Sequence, residues 1–357
     1  MIPPLQPPGK IPADLFDRVI FRSLGAPSNQ TVVPPRHGVD VGIVRLDAHR
    51  VMAVTTDPVF VVPEYGWERA GWFAVHILAS DAATSGLRPT YATFDLNLPR
   101  SLSDEDLERL WTTMHRTCAE LGITIIAGHT GRYDGCAYPM VGGATVMAIG
   151  PSDGWVTPTM ARVGDLVILT KGPAIEATGL FAASFPARLE RRLGAERTRA
   201  AAAMFYQMSV VRDALTAAAV GVRDDGVTAM HDATEGGVWG GLVEVARASG
   251  VGLRIDRDAI PMPEVVELVC AEFGIDPFTS ISEGTLIVTA RPHRADAVVA
   301  ALRAAAIPCA IIGEVVPAEQ GLRYTTGGQE FPLEPPRLDP FWTAFARALA
   351  EESAGPG

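Results

Sequence analysis

Apolar residues recur along the chain with two periods, near 2 and near 3.6, and the mixture predicts an α+β protein. The clearest helix is Asp104–Leu121. Leu107, Leu110, Trp111, Met114, Cys118 and Leu121 mark one of its faces, Ser103 offers an N-cap hydroxyl and Gly122 a C-terminal stop. Residues 69–85 contain WFAVHILA, apolar nearly all round, as only a buried helix tolerates. A helix over 14–24 and a loop-like stretch over 23–38 precede them. Strands are expected at 39–46, 51–56, 123–127 (ITIIA) and 141–150 (VGGATVMAIG). Beyond PSDGWVTP, strands at 165–170, 227–231, 252–255, 285–289 and 310–315 alternate with helices at 204–219, 237–249, 264–273 and 293–305. The end of the chain offers a hairpin around Thr326-Gly327-Gly328 and an amphipathic helix over 341–349.

This pattern divides the chain into a flexible Pro-rich lead over 1–12, a first domain over 13–157, a second over 158–318, and a hairpin-and-helix tail over 319–357. Composition narrows the function. Hydrophobic residues are 48% and charged residues 20%, which excludes a disordered chain or a coiled coil. The net charge of −11 argues against an extended nucleic-acid footprint. No stretch approaches the roughly 20 apolar residues of a membrane span, and no apolar leader is present, so a cytoplasmic protein is expected. Cys118, Cys136, Cys270 and Cys309 show no C-x-x-C spacing and read as reduced thiols.

Candidate chemistry lies at acids placed where predicted strands end: Asp40, Asp57 and Asp232, with Asp81 inside an apolar helix. Hard carboxylate ligands suit Mg²⁺ shared with phosphates, although each Asp alone is equally a turn or cap residue. Asp81 is the hardest to explain structurally, because a buried carboxylate costs free energy unless a cation or hydrogen bonds offset it. Thr56 closes a strand beside Asp57. Gly128-His129-Thr130-Gly131 reads as a loop whose amides could cradle phosphate, with His129 a general base, a ligand or a plain loop histidine. Gly236-Gly237 opens a helix after His231-Asp232, allowing close backbone approach of a ligand. Lys171 could neutralise phosphate and Glu283 act as base or ligand; His76 reads as a core histidine.

In order along the chain, GVDVGIV, TTDPVFVVP, AVHILASDAATSGLRP, IIAGHTG, VGDLVILTKG, MHDATEGGVWGGLVEVARASGVGL and DPFTSISEGTLIV resemble the aminoimidazole ribonucleotide (AIR) synthetase superfamily over roughly residues 10–316. The style is that of its hydrogenase-maturation carbamoyl dehydratase branch; thiamine-monophosphate kinase and selenophosphate synthetase are further members. The resemblance implies a two-domain PurM-like α+β fold, with an N-terminal mixed sheet that dimerises and a C-terminal α/β sandwich domain. It implies ATP and Mg²⁺ beside the homodimer interface, with Asp40, Asp57, Asp81 and Asp232 at the metal. Asp40, Thr56, Gly128, His129, Thr130, Asp232, Gly236 and Gly237 would touch nucleotide, and His129, Lys171 and Glu283 would serve catalysis. The partner would be a small-molecule substrate or a partner-protein thiocarbamate.

Three features depart from the branch. His129 stands where an aspartate is common, Glu235 replaces an arginine, and the sequence ends EESAGPG with Cys309 its last cysteine, so self-modification on a terminal thiol is not expected. The expected function is ATP- and Mg²⁺-dependent activation of a substrate oxygen by phosphoryl transfer. Alternatives are a thiamine-monophosphate-kinase-like small-molecule kinase, a metal hydrolase using His129, His231 and the aspartates, and a non-catalytic ATP-binding partner protein.

Overall fold

A computed structural model describes residues 11–353, so the expected lead over 1–12 lies, but for Ile11 and Pro12, outside the described residues. The first half contains α1 (Ala13–Val19), β1 (Thr31–Val33), β2 (Gly42–Arg45), β3 (Arg50–Phe60), α2 (Trp67–Thr84), β4 (Pro89–Pro99), α3 (Asp104–Leu121), β5 (Thr124–Tyr133) and β6 (Met140–Pro151). These strands form one mixed sheet in the order β1-β2-β3-β6-β4-β5, with β4 and β5 parallel.

The second half opens with β7 (Leu166–Thr170), α4 (Ile175–Ser184), α5 (Pro186–Leu193), α6 (Ala195–Ala203), α7 (Val211–Ala218), β8 (Val227–Ala233) and α8 (Gly237–Ser249). It continues through β9 (Gly252–Asp256), α9 (Glu264–Phe273), β10 (Thr285–Ala290), α10 (Pro292–Ala304), β11 (Cys309–Val316), β12 (Leu322–Thr326), β13 (Gln329–Pro332) and α11 (Pro340–Ser353). Its seven strands follow the order β13-β12-β9-β11-β7-β10-β8, so the expected hairpin becomes the edge of this sheet through β12–β9 pairing.

Several elements differ from the sequence reading. Strand β3 does not close at Asp57-Pro58 but runs on to Phe60, and β5 continues through Gly128–Thr130 rather than ending in a loop. Strand β4 was not foreseen, because Pro89, Asp95, Asn97 and Pro99 imitate turn chemistry. Its alternation is nonetheless clean, with Ala92, Phe94, Leu96 and Leu98 buried on one face. Short β1 and helices α4–α6 were also missed. The helix expected over 204–219 divides into a 3₁₀ turn at Met204–Gln207 and α7. The Lys171 ammonium takes the carbonyls of Gln207 (3.3 Å) and Ser209 (2.7 Å), which a continuous helix would need for its own ladder.

Helix α2 joins the halves. One side packs on β3 and β6, the other on α7 and β8, which explains its nearly uniform apolarity. The last turn of α2 therefore delivers Asp81 between the two sheets. At the far end, Phe181, Phe185, Phe273, Phe341 and Phe345 interlock, with the Phe181 and Phe273 rings stacked at 3.8 Å, and this cluster fixes α11 on α4 and α9.

Candidate active site

Asp81 sits in the last turn of α2 and its Oδ2 accepts a hydrogen bond from Thr55 Oγ1 of β3 at 2.9 Å. Burial, together with the charges of Asp232, Asp40 and Asp57, pushes its carboxyl well above the ordinary range. The other three aspartates expected at a metal thus lie within electrostatic reach of Asp81, brought from β3, the lead into β2, and β8. Glu283 joins them. It is 2% exposed, its Oε1 has no hydrogen-bond partner, and burial plus Asp232, Glu176 and Asp81 raise its pKa strongly.

Such an arrangement is costly without a cation, since each ionised carboxylate raises the others. The donor set is hard oxygen, and a buried carboxylate oxygen without a donor is what a bound cation would satisfy, so these residues fit Mg²⁺. Asp40, His231 and Asp232 also bring ligand atoms within 4.8 Å of one another. His231 itself is not free to ligate: its Nδ1 faces Asp40 Oδ2 at 2.9 Å and its Nε2 faces Glu244 Oε2 at 2.8 Å. Burial opposes charge on this ring, yet the two carboxylates hold its pKa well above the ordinary value. His231 is therefore, in this structure, an imidazolium bridge between the halves.

Acids missed in the sequence extend the cluster. Glu176 Oε2 accepts from the Glu283 amide at 3.0 Å, and Asp339 caps two helices at once, taking the Phe341 amide through Oδ1 (2.9 Å) and the Gly236 amide through Oδ2 (2.8 Å). The Asp339-Pro340 step before a helix was a readable cap signature; Glu176 and Glu244 had no local signal. Burial lifts Glu176 to about 8 and Asp339 to about 6. A carboxyl raised on folding contributes stability at pH values below its unfolded pKa, and that contribution is lost as pH rises through the folded value. The ligand-free chain should lose a few kcal/mol between about pH 4.5 and 8 on this account. Thermal melts across that range are expected to fall, and Glu176→Gln to flatten the fall; an unchanged slope in that variant would remove Glu176 as the cause.

The remaining expected residues separate. Gly236 and Gly237 do stand at the start of α8, both with positive φ, but the Gly236 amide is already taken by Asp339. At Gly237 (φ +63°) a Cβ would lie 2.6 Å from the Ser280 carbonyl, so Gly237→Ala is expected to cost roughly 1–3 kcal/mol in chemical denaturation. Lys171 is buried, and its ammonium is spent on two carbonyls and on Asp213 Oδ1 at 3.0 Å, not directed at the acids. Strand alternation sends Thr56 to the opposite face of β3 from Thr55 and Asp57, where its hydroxyl donates to the Ala144 carbonyl at 3.0 Å. His129 pairs with Asp95 across the β4–β5 ladder, and its Nε2 meets the Tyr133 hydroxyl at 2.6 Å. Thr130 turns to the other side, beside Leu96 and Trp111. The extended ladder excludes an anion nest at Gly128–Thr130, which needs alternating backbone conformations. In this structure Thr56, His129 and Thr130 are not among the groups that act on Asp81.

Family models for "AIR synthase related protein" match this chain, the N-terminal domain over residues 38–160 and the C-terminal domain over 162–324. A carbamoyl dehydratase HypE of Rhizobium leguminosarum bv. viciae is 32% identical over 280 residues, covering 74% of this chain and 73% of that protein. The chain belongs to the AIR synthase related family. Among solved structures, a hydrogenase maturation protein HypE in complex with ATP superposes with a TM-score of 0.65 at 22% identity, covering 92% of this chain and 95% of that one. AaThiL complexed with AMPPCP and TMP gives 0.65 at 20% identity, over 84% and 89%. The two mixed sheets agree with the α+β, PurM-like fold of these relatives. No helix among the described residues is long and apolar enough to cross a membrane.

Proposed function

We propose that this protein is an ATP- and Mg²⁺-dependent enzyme that transfers the γ-phosphoryl group of ATP to an oxygen of a small substrate, in the manner of the HypE branch. The observation that carries the reading is the convergence of Asp57, Asp81, Asp232 and Glu283 between the halves, with Glu283 Oε1 buried and without a donor. Mg²⁺ held by Asp57, Asp81 and Asp232 would neutralise triphosphate charge, which is most of what phosphoryl transfer asks of a protein. Asp40 is presented to the same space by the His231 bridge. Glu283, its pKa held up by burial, suits acceptance of the proton that the substrate oxygen sheds as it attacks phosphorus and ADP leaves. Lys171 holds the 207–213 segment in place.

The exposed edge strand β5 supports a homodimer. Ile126 and Tyr133 are 54% and 42% exposed on it, apolar surface at an edge that a second copy would cover. We place Gly128, His129, Thr130 and Thr56 at that interface, where the partner's nucleotide would reach them. Light scattering at twice the monomer mass is expected; a monomer would sink this part of the reading.

Calorimetry with ATP, with and without Mg²⁺, followed by assay of ADP, AMP and phosphate, tests the activity. Mg²⁺-dependent binding with ADP as product supports it. AMP would change the bond cleaved, and binding without turnover on any carbonyl, amide or phosphate substrate would make the chain a non-catalytic nucleotide-binding partner.

A further inference from the structure

Between α2, α3, α7 and α10 lies an open cavity of about 610 Å³, none of whose lining residues is one of the clustered acids. Its size is that of a small-molecule site. At its wall stands His76, expected from sequence to be a satisfied core histidine. The structure satisfies only half of it. Nδ1 meets Ser209 Oγ at 2.8 Å, the ring stacks on Trp72 at 4.0 Å, and Nε2 has no partner among the described residues although the side chain is 9% exposed.

The Val211 amide donates to Ser209 Oγ (3.4 Å), and where the Ser209 hydroxyl in turn donates to His76 Nδ1 the ring proton sits on Nε2, which is the tautomer that the proposed site uses. Burial, then the Lys171 charge, hold this imidazole neutral by lowering its pKa to about 3, so the donor is an uncharged N–H. Arg88 and Arg212 line the same cavity. Arg88 has no ion pair among the described residues, and the one partner of Arg212 is the Ala305 carbonyl. Glu120 is the single acid of the lining. The free ring nitrogen of His76 thus stands beside two guanidinium groups and walls of Leu121, Val211, Leu215 and Val220.

We propose that this cavity is a second ligand site, separate from the acidic cluster, and that it takes a small organic anion with one carboxylate head and an apolar body. The head would lie between Arg88, Arg212 and His76 Nε2, the planar fork of arginine matching a carboxylate, and the body along the aliphatic wall. This site is independent of ATP use, because its groups are distinct from Asp40, Asp57, Asp81, Asp232 and Glu283.

The test uses the full chain with histidine labelled in ¹⁵N, titrated with 4-phenylbutyrate and, in parallel, with 4-phenylbutanol and 4-phenylbutylammonium. Saturable displacement of the His76 ring signals by the carboxylate is expected, with affinity about tenfold or more above either analogue, as loss of charge-assisted hydrogen bonds requires. Arg88→Gln and Arg212→Gln, both at exposed positions and each checked for an unchanged melt, should each weaken binding, and Asp81→Asn should leave it unchanged. No saturable shift of His76, equal affinity for the alcohol or the ammonium, or indifference to both arginine variants would overturn the proposal. Failure of ATP binding in the same samples would not, so the two readings stand or fall separately.

Discussion

Asp81→Asn is expected to abolish Mg²⁺-dependent ATP binding, by at least about a hundredfold in calorimetry, while raising the melting temperature of the ligand-free chain. The two effects have one cause. In the wild type a carboxyl is buried at the end of α2 among Asp232, Asp40 and Asp57, and without a cation it is stabilised mainly by the Thr55 hydroxyl and by holding its proton. Asparagine keeps an oxygen for Thr55 and needs no proton taken up on folding to stay neutral among these acids, so the fold gains about 1–2 kcal/mol. The same change removes an anionic ligand at the centre of the set, and the remaining carboxylates no longer balance a divalent ion. Equal nucleotide affinity in variant and wild type would show that the acids serve the fold and not a metal. A variant that melts lower would show that Thr55–Asp81 is chiefly a structural bond.

How far the site was legible follows from where its contacts lie in the chain. Asp81 could be singled out because a carboxylate within WFAVHILASDAA is anomalous on local grounds, and the structure gives it the surroundings that anomaly demands. Helices α3, α8 and α9 were legible for the same reason: their periodicity, caps and stops are all local. Glu176, Glu244 and Lys171 were not, or were misread, because what decides their roles is long-range. Glu244 is thirteen residues from His231 but belongs with Asp40, 191 residues from that histidine, and no periodicity encodes such a meeting. The glycine-flanked stretch at 128–131 misled differently: glycines that read as loop chemistry lie in an edge strand, where β4 pairing overrides local propensity.

Removing the imidazolium bridge should cost more stability than any other single change considered for this site. His231→Ala leaves the largely covered Asp40 and Glu244 facing one another with the cation between them gone; breaking a buried pair typically costs about 3–5 kcal/mol, and the partial exposure of the acids puts this loss at the lower end. His231 is 1% exposed, so water cannot take over the lost hydrogen bonds without opening the seam. The seam is tight. A Cβ at Gly38, two residues before Asp40, would come within 3.0 Å of Glu244 Cβ, so the lead into β2 lies directly on α8. The bridge therefore does two things with one ring: it offsets the two acids, and it fixes the Asp40 carboxylate relative to Asp232, whose Oδ1 lies 4.0 Å from the same Nδ1. Denaturant titration at pH 7 should show the loss for His231→Ala and a smaller one for Glu244→Gln, and the double variant should be less destabilised than the sum because neither acid then faces an ionised partner. A His231→Ala variant within about 1 kcal/mol of wild type, or strict additivity in the double variant, would mean that the halves are joined by α2 packing alone and that Asp40 is free to move.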